Sequence, residues 1–425
     1  MTLYDILDHE WRPALGCTEP ASVAYAAALA GSQHTGPIER IELLCDSGTY
    51  KNCFAVGIPN SGRKAGIHWA PSLGAQAPEP TAGLEIFRQI TPEHVALADD
   101  LIQSGRVTAR VDRSHRNLYV DCTVRRADGW GRAVLEDEHT RLIALERDGA
   151  PIPLGTSDRE TGESVRAVVA GLSFSAMIEM ATGVDDDSRR LLAECVELNL
   201  AIARHGATQF PERFLGDPSE EGPAHAGRMV CAGVYARMSG ESMTVASLAG
   251  SGNKGITVAV PLALASREVG RPAGRGDEAL ALASLVTIAV THHLGSLSAV
   301  CGCSNAAGIG LAAGYVHLNG GDAQAVSCAV TNMVGNVTGM ICDGAKIGCG
   351  LKTMSSVDAA FRAASLACAG VAIPASDGIV GADGLASLLN LGRIANNGMV
   401  GVNDEVLDIM ADKLERSTGQ TRETP

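Results

Sequence analysis

The hydrophobic pattern of this chain changes period once, near residue 150, and that change restricts the architecture more than any other feature. From about 37 to 147 apolar residues recur at every second position: Ile38, Ile41, Leu43; then Val107, Ala109, Val111; then Leu118, Val120, Cys122, Val124. Period two puts alternate side chains on one face of a strand, and Asp128-Gly129 between two such runs predicts a hairpin. Residues 81–104 carry helical spacing within this part. Beyond about 160 the spacing becomes helical, at roughly 163–182, 187–206, 276–294, 304–318, 322–341, 354–369, 382–396 and 403–415. The expected fold is therefore α+β, with a strand-rich N-terminal domain followed by a mainly helical one. The turn-rich stretch 149–157 is the expected linker, giving domains 1–155 and 156–425. At the start, a short helix, a break at Pro13 and a second helix beginning near Thr18 to Pro20 place Cys17 at a helix N-terminus.

At 425 residues the chain is longer than one hydrophobic core usually supports, and burying a cofactor is within its reach. A net charge of −14, without a run of five basic residues, argues against a nucleic-acid partner. Met1-Thr2-Leu3-Tyr4-Asp5 has neither the basic start nor the apolar core of a signal or transit peptide, so a cytoplasmic location is expected. The most apolar window, 280–300, is interrupted by His292 and His293, and no membrane-spanning segment is expected. Forty-nine glycines beside only 4% aromatic residues suit close helix packing, and small-residue surfaces would suit a homodimer.

Twelve cysteines in an unsecreted chain stay reduced, so buried thiols or metal ligation must account for them. Cys45, Cys53, Cys122, Cys195, Cys231, Cys328 and Cys368 stand alone among apolar neighbours. Cys17, Cys301, Cys303, Cys342 and Cys349 sit instead in glycine-rich or turn-like contexts. A break at Asp343-Gly344 would turn the thiolates of Cys342 and Cys349 toward one point, where Cys301 or Cys303 would supply a third soft ligand. Zinc sites usually show paired C-x-x-C ligands, which are absent. Gly250-x-Gly252-x-x-Gly255 matches a dinucleotide fingerprint, but the β-branched run Ile256–Val260 predicts no helix after it, and no P-loop follows. A pyridoxal phosphate lyase using Lys254 as Schiff base would leave the cysteines unexplained.

Four stretches in order resemble the L-cysteine desulfidases, relatives of the bacterial iron–sulfur L-serine dehydratases. They are Leu15-Gly16-Cys17-Thr18-Glu19-Pro20-Ala21, Gly250-Ser251-Gly252-Asn253, Leu297-Ser298-Ala299-Val300-Cys301-Gly302-Cys303 and Gly339-Met340-Ile341-Cys342-Asp343-Gly344-Ala345-Lys346. The resemblance implies a [4Fe–4S] cluster in the helical domain, held by Cys342, Cys349 and one of Cys301 or Cys303, with one iron open to substrate and Cys17 nearby. Three departures bear on substrate: tyrosine stands at 235 where the family tends to carry an acid, Lys254 where it carries glutamine, and Cys53-Phe54 follow Lys51-Asn52 where it reads glycine and methionine.

The implied activity is elimination of the β-substituent of a small amino acid, foremost L-cysteine to pyruvate, ammonia and sulfide, with L-serine dehydration as the alternative. A helix N-terminus favours thiolate, so Cys17 is the expected base, ahead of His68 and His139, or a temporary fourth ligand. Ser251, Gly252, Asn253 and the loop amides, with Lys254 and Asn52, are the expected substrate-binding groups, and Lys346 is a further catalytic candidate. A non-catalytic iron–sulfur redox sensor is the reading from another class, and no DNA-binding module or basic face accompanies it.

Overall fold

The structure, a computed structural model, describes residues 1–77, 79–115, 117–154, 165–215, 222–267, 274–295 and 297–418. Its N-terminal part is a six-stranded sheet in the order β3-β2-β4-β5-β6-β7, built from β2 (Ile38–Asp46), β3 (Val107–Asp112), β4 (Tyr119–Arg126), β5 (Gly129–Glu136), β6 (Leu142–Arg147) and β7 (Ala150–Pro151). Only the β2–β3 pair is parallel. In the β2–β4 register Ile41 faces Val124, Leu43 faces Cys122 and Cys45 faces Val120, all buried. The period-two pattern thus marks one covered face. The Ala-rich helix Thr18–Gly31 belongs to the same core. Small residues allow that approach: a Cβ on Gly131 would stand 2.2 Å from the Ala30 carbonyl oxygen.

The remaining chain is mainly helical, so the α+β expectation holds. The helices Gly252–Ala265, Arg275–Leu294 and Gly302–Leu318 lie at its centre and are buried over most of their length. Close packing again rests on glycine, since a Cβ on Gly310 would stand 2.0 Å from Thr287 Oγ1 and 2.5 Å from the Ala283 carbonyl oxygen. Gly310→Ala is expected to destabilise by about 1–3 kcal/mol, the usual effect of overpacking a core. Urea unfolding compares it with Gly339→Ala, which meets nothing within 4 Å and is expected to be near neutral.

Two strands join the parts. β1 (Trp11–Leu15) pairs antiparallel with β8 (Thr244–Leu248), and Trp11 Nε1 donates to Ser284 Oγ at 3.1 Å. Leu3, Ile6, Leu7 and Trp11 therefore pack with the helical core although they open the chain. The expected boundary at 155/156 and residues 155–157 of the expected linker lie outside the described residues, as do 163 and 164 of the expected 163–182 helix, while Ala150–Pro151 of the linker form β7.

Three segments differ from the sequence expectations, and the two helices among them share one cause. Gly252–Ala265 is a helix, not a β-branched continuation; Pro223–Met238 is also helical; and the segment around Pro13 is a strand. Both helices are buried on nearly all sides, which erases the polar face that a 3.6-residue period needs. No helix among the described residues is long and apolar enough to cross a membrane.

Candidate active site

The glycine loop has the strand–turn–helix context that its sequence did not suggest. It follows β8, with Ala249 and Gly250 at φ +48° and +81°, and Ser251 opens the Gly252–Ala265 helix. Gly252 cannot carry a side chain, because a Cβ there would meet Arg237 Nε at 2.5 Å. The first turn of this helix carries Lys254, which is 4% exposed. Its Nζ donates to the Ala249 carbonyl at 2.9 Å and to Thr291 Oγ1 at 3.0 Å. Burial, reinforced by the Arg166 guanidinium, pushes its pKa down to about 8.

Asn253 turns to the interior. Its Oδ1 accepts from Arg237 Nη1 at 2.9 Å, while Arg237 Nη2 donates to the Gly16 carbonyl at 2.7 Å. Asn253 thereby fixes the approach to Cys17. Cys17 is the N-cap residue of the Thr18–Gly31 helix, as expected, and its Sγ donates to Glu19 Oε2 at 3.0 Å. The helix terminus does not make it a thiolate: burial and the Glu19 charge push its pKa well above the ordinary thiol value. Glu19 goes the other way. Burial alone would raise it, but His139, with Nε2 at 3.6 Å, and the Cys17 thiol hold its pKa down at about 2.

The cysteine segments meet through one short bridge. Val300 pairs with Ile341, Cys301 N donates to the Met340 carbonyl at 2.8 Å, and Cys342 N donates to the Ala299 carbonyl at 2.7 Å. Cys301 caps the Gly302–Leu318 helix, whose first turn carries Cys303. After Cys342 the backbone turns at Gly344 (φ +93°), where a Cβ would lie 2.4 Å from the Lys51 carbonyl oxygen, and Cys349 begins the Cys349–Cys368 helix. The sequence break between the two thiols is therefore real. Burial, with negative charge from Cys301 and Cys342, pushes Cys349 up to about 12. A hydrogen bond from the Cys303 thiol lowers Cys301. Lys352, ion-paired with Asp343, adds positive charge beside Cys301 and Cys342.

Among the described residues no three His, Cys, Asp or Glu side chains converge closely enough to hold one metal ion. A cluster spreads its ligands over separate irons and needs no such convergence. Four cysteines on two bridged segments, at one end of two helices, are a donor set that suits iron and sulfide.

These groups enclose a cavity of about 60 Å³ lined by Glu19, Lys51, Asn52, Gly250, Ser251, Lys254, Cys303 and Cys342, among others. Of the expected residues, Ser251, Asn52, Lys254, Cys303 and Cys342 reach it; Ser251 Oγ lies 3.4 Å from Cys303 Sγ. Cys17, Gly252, Asn253, Cys301, Cys349 and Lys346 do not line it. Lys346 is occupied by Asp343. Tyr235 packs edge-on against Phe210, ring centroids 5.0 Å apart, and does not line the cavity. Sequence reasoning missed Glu19 and Lys51. Both lay in plain view, one inside the Cys17 motif and one beside Asn52.

A profile of the serine dehydratase alpha chain family matches residues 81–408. Full-length relatives include UPF0597 proteins of Geobacter sulfurreducens (36% identical, 98% of this chain and 100% of the relative), Oleidesulfovibrio alaskensis (35%, 96% and 97%) and Desulfatibacillum aliphaticivorans (32%, 97% and 98%). The matched span includes the glycine loop, both cysteine segments and the helices that present them. By that match the chain belongs to the serine dehydratase alpha chain family, whose members depend on iron–sulfur chemistry.

Proposed function

We propose that this chain is a lyase that removes the β-substituent of a small α-amino acid, with L-cysteine as substrate and pyruvate, ammonia and sulfide as products. The observation that carries this reading is one small cavity lined both by Lys254, whose pKa is pushed down to about 8, and by cysteines of the two bridged segments. Cys301, Cys342 and Cys349 would hold a [4Fe–4S] cluster, with Cys303, whose Sγ lies 3.4 Å from Ser251 Oγ, left beside the substrate. Bound there, the cluster supplies Lewis acidity to the departing β-sulfur.

The chain's own groups do the rest. A neutral lysine amine has two N–H bonds and one lone pair. At Lys254 the two acceptors, Ala249 O and Thr291 Oγ1, suit both N–H bonds and leave the lone pair for the substrate α-proton. Thr291 is oriented for this, since its hydroxyl donates to the Thr287 carbonyl at 2.8 Å. As the α-proton passes to Nζ, the Cα–H electron pair forms the Cα–Cβ double bond and the Cβ–S pair leaves with sulfur. The aminoacrylate released tautomerises and hydrolyses to pyruvate and ammonia. Cys17, kept protonated, holds Glu19 in place.

The family name favours L-serine as the second reading. Anaerobic assays of keto acid and sulfide with both amino acids separate the two. Sulfide and pyruvate from L-cysteine are expected; pyruvate from L-serine alone would make the chain a dehydratase, and turnover of neither would overturn the proposal.

A further inference from the structure

The cavity wall carries opposite charges in separate places. Glu19 enters from the start of the Thr18–Gly31 helix, 7% exposed, its Oε2 receiving the Cys17 thiol at 3.0 Å and the Thr18 hydroxyl at 3.1 Å. Lys51 enters from the Ser47–Cys53 helix and is 1% exposed. Its Nζ donates to two neutral oxygens, the Cys342 carbonyl and Asn403 Oδ1, each at 2.7 Å. An ammonium has three N–H bonds, so one remains. No carboxylate among the described residues forms an ion pair with Lys51, and a buried cation held only by neutral groups is costly until an anion arrives.

We propose that Glu19 and Lys51 are the specificity-determining pair of this cavity, the carboxylate receiving the α-ammonium and the lysine the α-carboxylate of a small zwitterionic amino acid. This rests on the lyase reading for its biological meaning and extends it to the substrate class. Two opposite charges of one ligand satisfy two buried charges of the protein, each by a charge-assisted hydrogen bond. A ligand without a carboxylate leaves Lys51 with its two neutral acceptors alone, and one without an ammonium leaves Glu19 with only its Cys17, Thr18 and His139 contacts, and the lost charge-assisted bond produces the selection. The glycines at 48, 250, 295 and 302 around the cavity leave space for a one-carbon side chain with a small β-group. The acid that the family tends to carry at position 235 is thus not needed here for ammonium recognition.

The test uses ligands without a leaving group, so it stands whether or not L-cysteine is turned over. Binding of L-alanine, propionate and ethylamine to the anaerobically prepared holoprotein is measured by calorimetry or ligand-observed NMR. L-alanine is expected to bind at least about tenfold more tightly than either single-charge analogue. Glu19→Gln is expected to bring L-alanine close to propionate, and Lys51→Met to bring it close to ethylamine. Propionate or ethylamine binding the wild type as tightly as L-alanine would overturn the proposal without any variant. The same conclusion follows if folded Glu19→Gln keeps the wild-type ratio of L-alanine to propionate. A Lys51 that merely balances thiolate charge would show itself as ethylamine matching L-alanine. If that outcome accompanied normal L-cysteine turnover, the pairing would fall and the lyase reading would remain.

Discussion

Lys254→Met is expected to lower kcat for L-cysteine by about 10²- to 10⁴-fold, the usual contribution of a positioned general base, with little change in KM. Methionine keeps the length and apolar body of the side chain but has no basic nitrogen, so the Ala249 carbonyl and Thr291 hydroxyl lose their donor while the fold keeps its packing. The wild type supplies an independent check. Burial holds Lys254 at about 8, and only the deprotonated amine accepts the α-proton, so kcat is expected to rise with pH through about 8 and then level off. Glu19, held at about 2, stays ionised over the whole interval and adds no second limb. Single-turnover pyruvate formation measured from pH 6 to 9.5 reads both effects. An unchanged kcat in the variant, or a rate that falls with pH across this interval, would remove Lys254 from the role.

The second large effect concerns the thiols. Cys301→Ser, Cys342→Ser and Cys349→Ser are each expected to abolish turnover and the broad visible absorption of a cluster, because loss of one of three ligands leaves an iron without its thiolate. Cys303→Ser is expected to keep iron and colour while changing KM, since Cys303 faces the cavity beside Ser251. Iron content and the spectrum of each variant, purified without oxygen, decide the matter. A coloured Cys301→Ser beside a colourless Cys303→Ser would exchange the two assignments.

Much of this was legible in the sequence, and the rest was hidden for physical reasons. Strands whose residues alternate between a covered and a wetter face advertise themselves, and β2 and β4 pair as their period suggests. The amphipathic helix Asp186–Ala207 was equally visible, with Asp185 capping it through the Ser188 amide at 2.8 Å. Helices buried on all sides carry no such contrast, so Gly252–Ala265 looked like a strand and Pro223–Met238 like nothing in particular.

The cysteine segments stood out because glycine and turn residues interrupt them. Their antiparallel contact at Val300 and Ile341 is a tertiary event that spacing alone cannot reveal. Cys17 shows the opposite limit: its helix-terminal position was readable, but the burial and the Glu19 carboxylate that reverse its acidity are properties of the folded chain. Lys51 illustrates the same point, because its partner Asn403 lies 352 residues away.

The central claim is that this cavity eliminates a β-substituent with an iron–sulfur cluster held by its cysteines. Its most direct test is to follow pyruvate and sulfide from L-cysteine with one anaerobic preparation in three states: as purified, after the iron is removed by air and chelator, and after reconstitution with iron and sulfide. The account predicts activity that disappears with the iron and returns with it in proportion to restored cluster. Undiminished turnover by the iron-free protein would contradict it.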